Sequence, residues 1–226
     1  MTRSVHNWTT IPGNFDRLNM FRVFESDNDL GIPTIKKENF VPDWLVPYRQ
    51  RIRSSKDIGE GAVHTFLDDY RFEQIWNRPF DTFTAVEQVG AALSPDFSVY
   101  VEFPRAVQIW NIYRSRWVGA FWQSKGVKVI PTITWADEGS FEFCFKGVEK
   151  GSNVAISTVG VLKRKETHEL FKKGFLAMLE QIEPELVLCY GEGSPFKLEE
   201  YTSIKWYPSI WKGIREALKG SAKNGR

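Results

Sequence analysis

Residues 153–190 read NVAISTVGVLKRKETHELFKKGFLAMLEQIEPELVLCY. Residues 153–159 form a short apolar run rich in β-branched side chains, which predicts a buried strand. Leu170, Phe171, Phe175, Met178, Leu179 and Ile182 then recur at steps of three and four. That spacing predicts the clearest helix in the chain, and Pro184 marks its end. Residues 186–190 form a second apolar run. Strand, helix and strand in this order describe a crossover unit. Strands that are apolar throughout belong to a parallel sheet covered on both faces.

The same alternation extends outward from this unit. Residues 127–134 predict a strong buried strand, ending in Trp135, Ala136, Asp137 and Glu138. Before it, residues 104–124 predict a long helix. It opens with Pro104, whose missing N–H costs nothing in a first turn, and closes at Lys125 and Gly126. Residues 63–67 and 91–93 predict further strands, and residues 70–77 and 82–89 predict helices. Residues 141–148 fit a short helix or an edge strand equally well. The C-terminal part holds a weak strand at 204–207, a short helix near 210–218 and a frayed end at 220–226. Residues 1–60 read as an irregular extension packed on the domain, with a short strand at 32–35 and a helix over 42–54. Residues 61–226 then form one α/β domain with a mostly parallel sheet of alternating βα units. Five or six such units make an open sheet or a partial barrel, too few for an eight-unit barrel.

Composition narrows the class further. The chain has 226 residues, of which 42% are hydrophobic and 15% aromatic, so it can build a large core and is neither disordered nor collagenous. A net charge of +2 gives no global electrostatic pull toward nucleic acid. Cys144 and Cys189 sit among apolar residues with no short C-x-x-C spacing and read as reduced core thiols. The N-terminal segment lacks the apolar core of a signal peptide, and no apolar run approaches membrane-spanning length. The expectation is a soluble cytoplasmic protein, with no membrane partner.

In parallel α/β folds, ligands bind beyond the carboxyl ends of the strands. Successive strand ends here carry Asp68 and Asp69, then Asp96, then Trp135 with Asp137 and Glu138, then Ser157 and Thr158, then Tyr190 and Glu192. Acids follow four of these five ends. Each alone fits a structural role, because Asp, Ser and Thr cap the next helix and acids favour its first turn. Together they point to an acidic cleft. Asp68, Asp69, Asp96 and Asp137 are the candidate ligands of Mg²⁺ or Mn²⁺, which clustered carboxylates hold for phosphoester hydrolysis. Asp96, Asp137 and Glu138 are the candidate catalytic residues. Sugar chemistry is an alternative, with a carboxylate pair drawn from Asp96, Asp137 and Glu192 and with Trp135 as a stacking platform.

The long helix carries a polar stripe of Gln108, Asn111 and Arg114 or Ser115, flanked by Arg105 and Arg116. These groups either grip a polar ligand or hold loop backbones and the end of the sheet. The candidate ligand-binding set is Gln108, Asn111, Arg114, Trp135, Tyr190 and Glu192. His6, His64 and His168 are widely separated and support no zinc site, and His64 reads as core. Gly191-x-Gly193-Ser194 lacks the spacing of a phosphate loop. Lys163, Arg164, Lys165, Lys172 and Lys173, with Trp206, Tyr207 and Trp211 beside Lys205, Lys212 and Arg215, leave open a binding surface for nucleic acid or a protein.

LDDYRF at 67–72, SPDFS at 94–98, QIWNIYR at 108–114 with Arg116 and Gly119, VIP at 129–131, WADE at 135–138, GSNVA at 151–155 and Tyr190-Gly191 resemble the DUF4417 family of bacteria, archaea, bacteriophages and mobile elements. The resemblance spans about residues 66–192. It implies a phage or mobile-element setting and no particular activity. With it, the expected ligand is a nucleotide or nucleic-acid phosphate. The alternative is a non-catalytic protein that binds a phage or host protein, or nucleic acid. Oligomeric state is left open.

Overall fold

The computed structural model describes residues 17–48, 60–161 and 165–209. Among the described residues, seven short strands run in chain order: β1 (Trp44–Pro47), β2 (Gly61–His64), β3 (Ala91–Leu93), β4 (Lys128–Ile130), β5 (Val154–Ser157), β6 (Val187–Tyr190) and β7 (Ile204–Tyr207). They form a four-stranded sheet ordered β1-β2-β3-β4 and a three-stranded sheet ordered β5-β6-β7. Every pairing is parallel. The expected α/β class with a parallel sheet is therefore observed.

The sheets are continuous at one point. Thr132 and Ala155 form an isolated parallel bridge, Ile133 N–H donates to the Ala155 carbonyl, and Ala155 N–H donates to that of Pro131. Leu93 and Ile130 of the first sheet share one cluster with Ala155, Leu188, Tyr190 and Tyr207 of the second. Two sheets whose inner faces meet this way curl into a partial barrel. At the open seam, Tyr207 Oη and Lys205 Nζ both donate to the Pro42 carbonyl, just ahead of β1.

Helices cover the outer faces. α1 (Gln74–Asn77), α2 (Pro79–Glu87) and α3 (Arg105–Gln123) pack on the first sheet, and α4 (Lys165–Ile182) packs on the second. The periodicity of α4 is real core geometry, since Phe171, Phe175, Met178 and Ile182 are all buried. Gly174 of α4 has a local reason. A Cβ there would sit 2.2 Å from Trp135 Nε1, so only glycine lets the indole lie against the helix. Gly119 lets α3 approach the sheet in the same way, against Ile35 and Ser94.

Arg116 of α3 is fully buried. Its Nε, Nη1 and Nη2 donate to the carbonyls of Lys146, Thr132 and Cys144 at 3.1, 2.8 and 3.0 Å. Burial lowers its pKa to about 10. It staples the chain between β4 and β5 to the helix layer. Cys144 and Cys189 are buried free thiols, raised in pKa by desolvation.

Two local expectations need correction. The stretch expected as a helix from residue 42 is strand β1, paired with β2 from Trp44 to Pro47. Pro47 would break a helix at that point, whereas an edge strand tolerates it. Residues 141–148 hold neither a full helix nor a strand. A 3₁₀ turn spans Glu138–Glu142, and Val148 makes one bridge to Ile35. The expected helix near 210–218 lies outside the described residues.

Candidate functional site

An open hollow of about 1070 Å³ lies over the carboxyl ends of β1 to β6. Tyr48 follows β1, Phe66 to Asp68 and Arg71 follow β2, and Asp96 with residues 98–102 follows β3. Residues 133–136 follow β4, Ser157 closes β5 and Tyr190 closes β6, while Thr167, Leu170 and Phe171 of α4 complete the wall. The placement comes from topology: parallel strands deliver all their carboxyl ends to one rim.

Of the acids expected at that rim, Asp68 and Asp96 line the hollow. Asp68 is exposed at the mouth. Asp96 is half-buried, and its N–H is fixed by Thr65 Oγ1 at 2.8 Å. Among the described residues, none donates a hydrogen bond to its carboxyl group. Desolvation by the surrounding walls raises its pKa to about 7, and the nearby Asp69 carboxylate adds to that rise. An unpaired acid poised near neutrality in a concave site is a physical mark of function.

The other acids are engaged elsewhere. Asp69 accepts from Ser98 Oγ at 2.8 Å and from Ser98 N–H at 3.1 Å, one bond to each oxygen. Asp137 caps the 3₁₀ turn through Ser140 N–H at 3.0 Å and pairs with Arg105 at 3.2 Å. Glu138 pairs with Lys173 on the exposed side. Glu192 is exposed and accepts from Ser209 Oγ at 2.8 Å. Among the described residues, no three His, Cys, Asp or Glu side chains are grouped to hold a metal ion. Of Asp96, Asp137 and Glu192, only Asp96 lines the hollow.

The polar stripe of α3 lies behind the hollow and holds its wall. Gln108 Nε2 donates to the carbonyls of Tyr100 and Phe103, and Asn111 Nδ2 to that of Ser98. Arg114 donates to Asn111 Oδ1 and to Glu73, and its guanidinium lies 3.9 Å from the centre of the Phe97 ring. These contacts fix the segment from Phe97 to Phe103, which carries one side of the hollow.

Trp135 and Tyr190 both line the hollow, as the strand-end argument anticipated. Phe66 stacks on Tyr190 with ring centres 4.9 Å apart and planes 19° apart. Beneath them, His64 is 1% exposed and packs 4.6 Å from Tyr190. Its Nδ1 accepts from Phe66 N–H, and burial lowers its pKa to about 3, so the ring is neutral. Phe66, Arg71, Tyr48 and the wall at 98–102 escaped the sequence argument, although Phe66 and Arg71 stand close behind β2. Of the proposed basic and aromatic surface, Trp206 donates to Glu199 and Lys205 pairs with Asp43. Lys163, Arg164, Trp211, Lys212 and Arg215 lie outside the described residues.

These features define a parallel βα protein with a ligand-sized hollow over its strand ends. Residues 24–208 match the family model described as a domain of unknown function, DUF4417, and the chain belongs to that family. It is 42% identical over 226 residues to the Gene 1 protein of Mycobacterium phage L5, covering 100% of this chain and 99% of the relative. It is also 42% identical over 218 residues to the Gene 1 protein of Mycobacterium phage D29, covering 96% of this chain and 81% of that relative. No solved structure matches. No helix among the described residues is long and apolar enough to cross a membrane.

Proposed function

We propose that the hollow binds a nucleotide, with the base inward against Asp96 and the phosphate at the mouth near Arg71. The observation that carries this reading is the half-buried, unpaired Asp96 carboxyl within an aromatic-lined recess. Phe66 and Trp135, both half-buried in the lining, supply ring surface on which any base stacks favourably, worth about 1–3 kcal/mol per base. Asp96 supplies a directional polar contact at the floor. Arg71 is the cation of the lining suited to a phosphate, and Asp68 and Glu102 are acids suited to a divalent counter-ion. Where turnover accompanies binding, Asp96 is the proton acceptor or donor, and phosphoester hydrolysis aided by Mg²⁺ or Mn²⁺ is the chemistry the recess suits.

The test is a thermal-shift and calorimetric screen of nucleosides, nucleotides and oligosaccharides, with and without Mg²⁺, followed by chromatography of the products. A ligand at one hundred times its Kd stabilises by about 2.7 kcal/mol, well within detection. Stabilisation by nucleotides that Asp96→Asn weakens supports the reading. Stabilisation by sugars alone, or by nothing in the panel, overturns it.

A further inference from the structure

We propose, on the nucleotide reading above, that the hollow selects a guanine base, with the Asp96 carboxylate accepting the two adjacent N–H groups of its Watson–Crick edge. Three observations lead there. First, no described residue donates to the Asp96 carboxyl, which stands in a prepared position. Its own N–H is tied to Thr65, and the next residue, Phe97, is 1% exposed and clamped beneath Arg114. The neighbouring Asp69 accepts from Ser98 with both oxygens and does not line the hollow.

Second, the charge around the recess asks for donors. Among the described residues, the lining contains Asp68, Asp96 and Glu102 against the one cation Arg71. A ligand edge with acceptors facing Asp96 would meet like partial charge in a desolvated place, while an edge with donors relieves it. Third, the half-buried rings of Phe66 and Trp135 line the hollow and favour a planar ligand.

Among the common bases, guanine alone presents two adjacent donors, N1–H and the 2-amino group, in one plane. A carboxylate accepts such a pair in bidentate fashion. Adenine and cytosine offer a donor beside an acceptor, and uracil and thymine place one donor between two acceptors. Each would leave an acceptor facing the ionised Asp96 carboxylate. A site built around a donor pair therefore rejects them by leaving buried polar atoms unpaired.

The experiment is isothermal titration of the full chain, above the Asp96 pKa of about 7 so that the carboxylate is ionised, with guanosine, inosine, adenosine and guanosine monophosphate, repeated on Asp96→Asn. Inosine keeps N1–H and lacks the 2-amino group. Loss of one charge-assisted hydrogen bond predicts binding about 10- to 150-fold weaker than guanosine. Adenosine is weaker still. In Asp96→Asn the preference for guanosine over inosine disappears. The ladder within the unaltered chain decides the matter even if the variant folds poorly. Equal affinity for the three nucleosides, or a guanosine preference that survives in Asp96→Asn, overturns the guanine assignment and leaves the nucleotide reading intact. Failure of every nucleoside and nucleotide to bind removes both.

Discussion

Replacing Asp96 by Asn removes one charge from a half-buried site while keeping its shape, and the effect on stability should depend on pH in a defined direction. The carboxyl's pKa rises from its ordinary 3.8 to about 7 on folding, chiefly through desolvation and secondarily through Asp69. The folded state therefore holds a proton that the unfolded chain releases at lower pH. Stability due to this group is fully present below pH 3.8, falls as pH rises toward about 7, and levels off above it. At roughly 1.4 kcal/mol per pH unit, the penalty for ionised Asp96 approaches about 4 kcal/mol. Partial solvent access to the side chain lowers this to about 2–4 kcal/mol. Asp96→Asn should thus match the native chain at low pH and exceed it by about 2–4 kcal/mol at pH 8. Urea unfolding of both proteins from pH 4 to pH 8 measures the difference, and groups common to both cancel. A difference that is flat across this range, or one that favours the native chain at pH 8, would refute the claim that Asp96 is desolvated and unpaired.

Three further outcomes follow from the packing. Arg116→Met should lower stability by about 3 kcal/mol or more, because three buried carbonyls lose a charge-assisted donor; Arg116→Lys should not restore it, since an ammonium cannot span the same fork, and thermal melting reads both. Gly174→Ala should displace the Trp135 indole from α4, costing about 1–3 kcal/mol and weakening ligand binding in calorimetry, because that indole lines the hollow. The His64 ring resonances should stay unchanged in NMR spectra between pH 5 and pH 8, since burial holds its pKa at about 3.

The sequence carried the architecture well because it depends on periodicity. The run at 153–159, the stripe on α4 and the apolar stretch at 186–190 each obey a local rule, and parallel pairing follows from their order. The segment at 42–54 reads as a helix because Trp44, Leu45 and Tyr48 also fit one helical face. Its identity as a strand depends on β2, seventeen residues later in register. The rim was legible for the same topological reason, and Asp68, Asp96, Trp135 and Tyr190 all line one hollow. Sequence could not show which acids would be spent on partners. Asp137 and Glu138 became a cap and a surface ion pair because Ser140, Arg105 and Lys173 arrive beside them in the fold. No described residue donates to the Asp96 carboxyl, whereas Ser98 donates twice to its neighbour Asp69. Nor did periodicity mark the wall at 98–102, which owes its shape to Gln108 and Asn111 reaching back from α3.

The most direct test of the account is a crystal structure of the chain grown with guanosine monophosphate. The base should lie in the hollow against Phe66 or Trp135, with its donor edge on Asp96 and its phosphate toward Arg71. Nucleotide seated elsewhere, such as the recess beside Trp206 and Phe196, with Asp96 left bare, would contradict it.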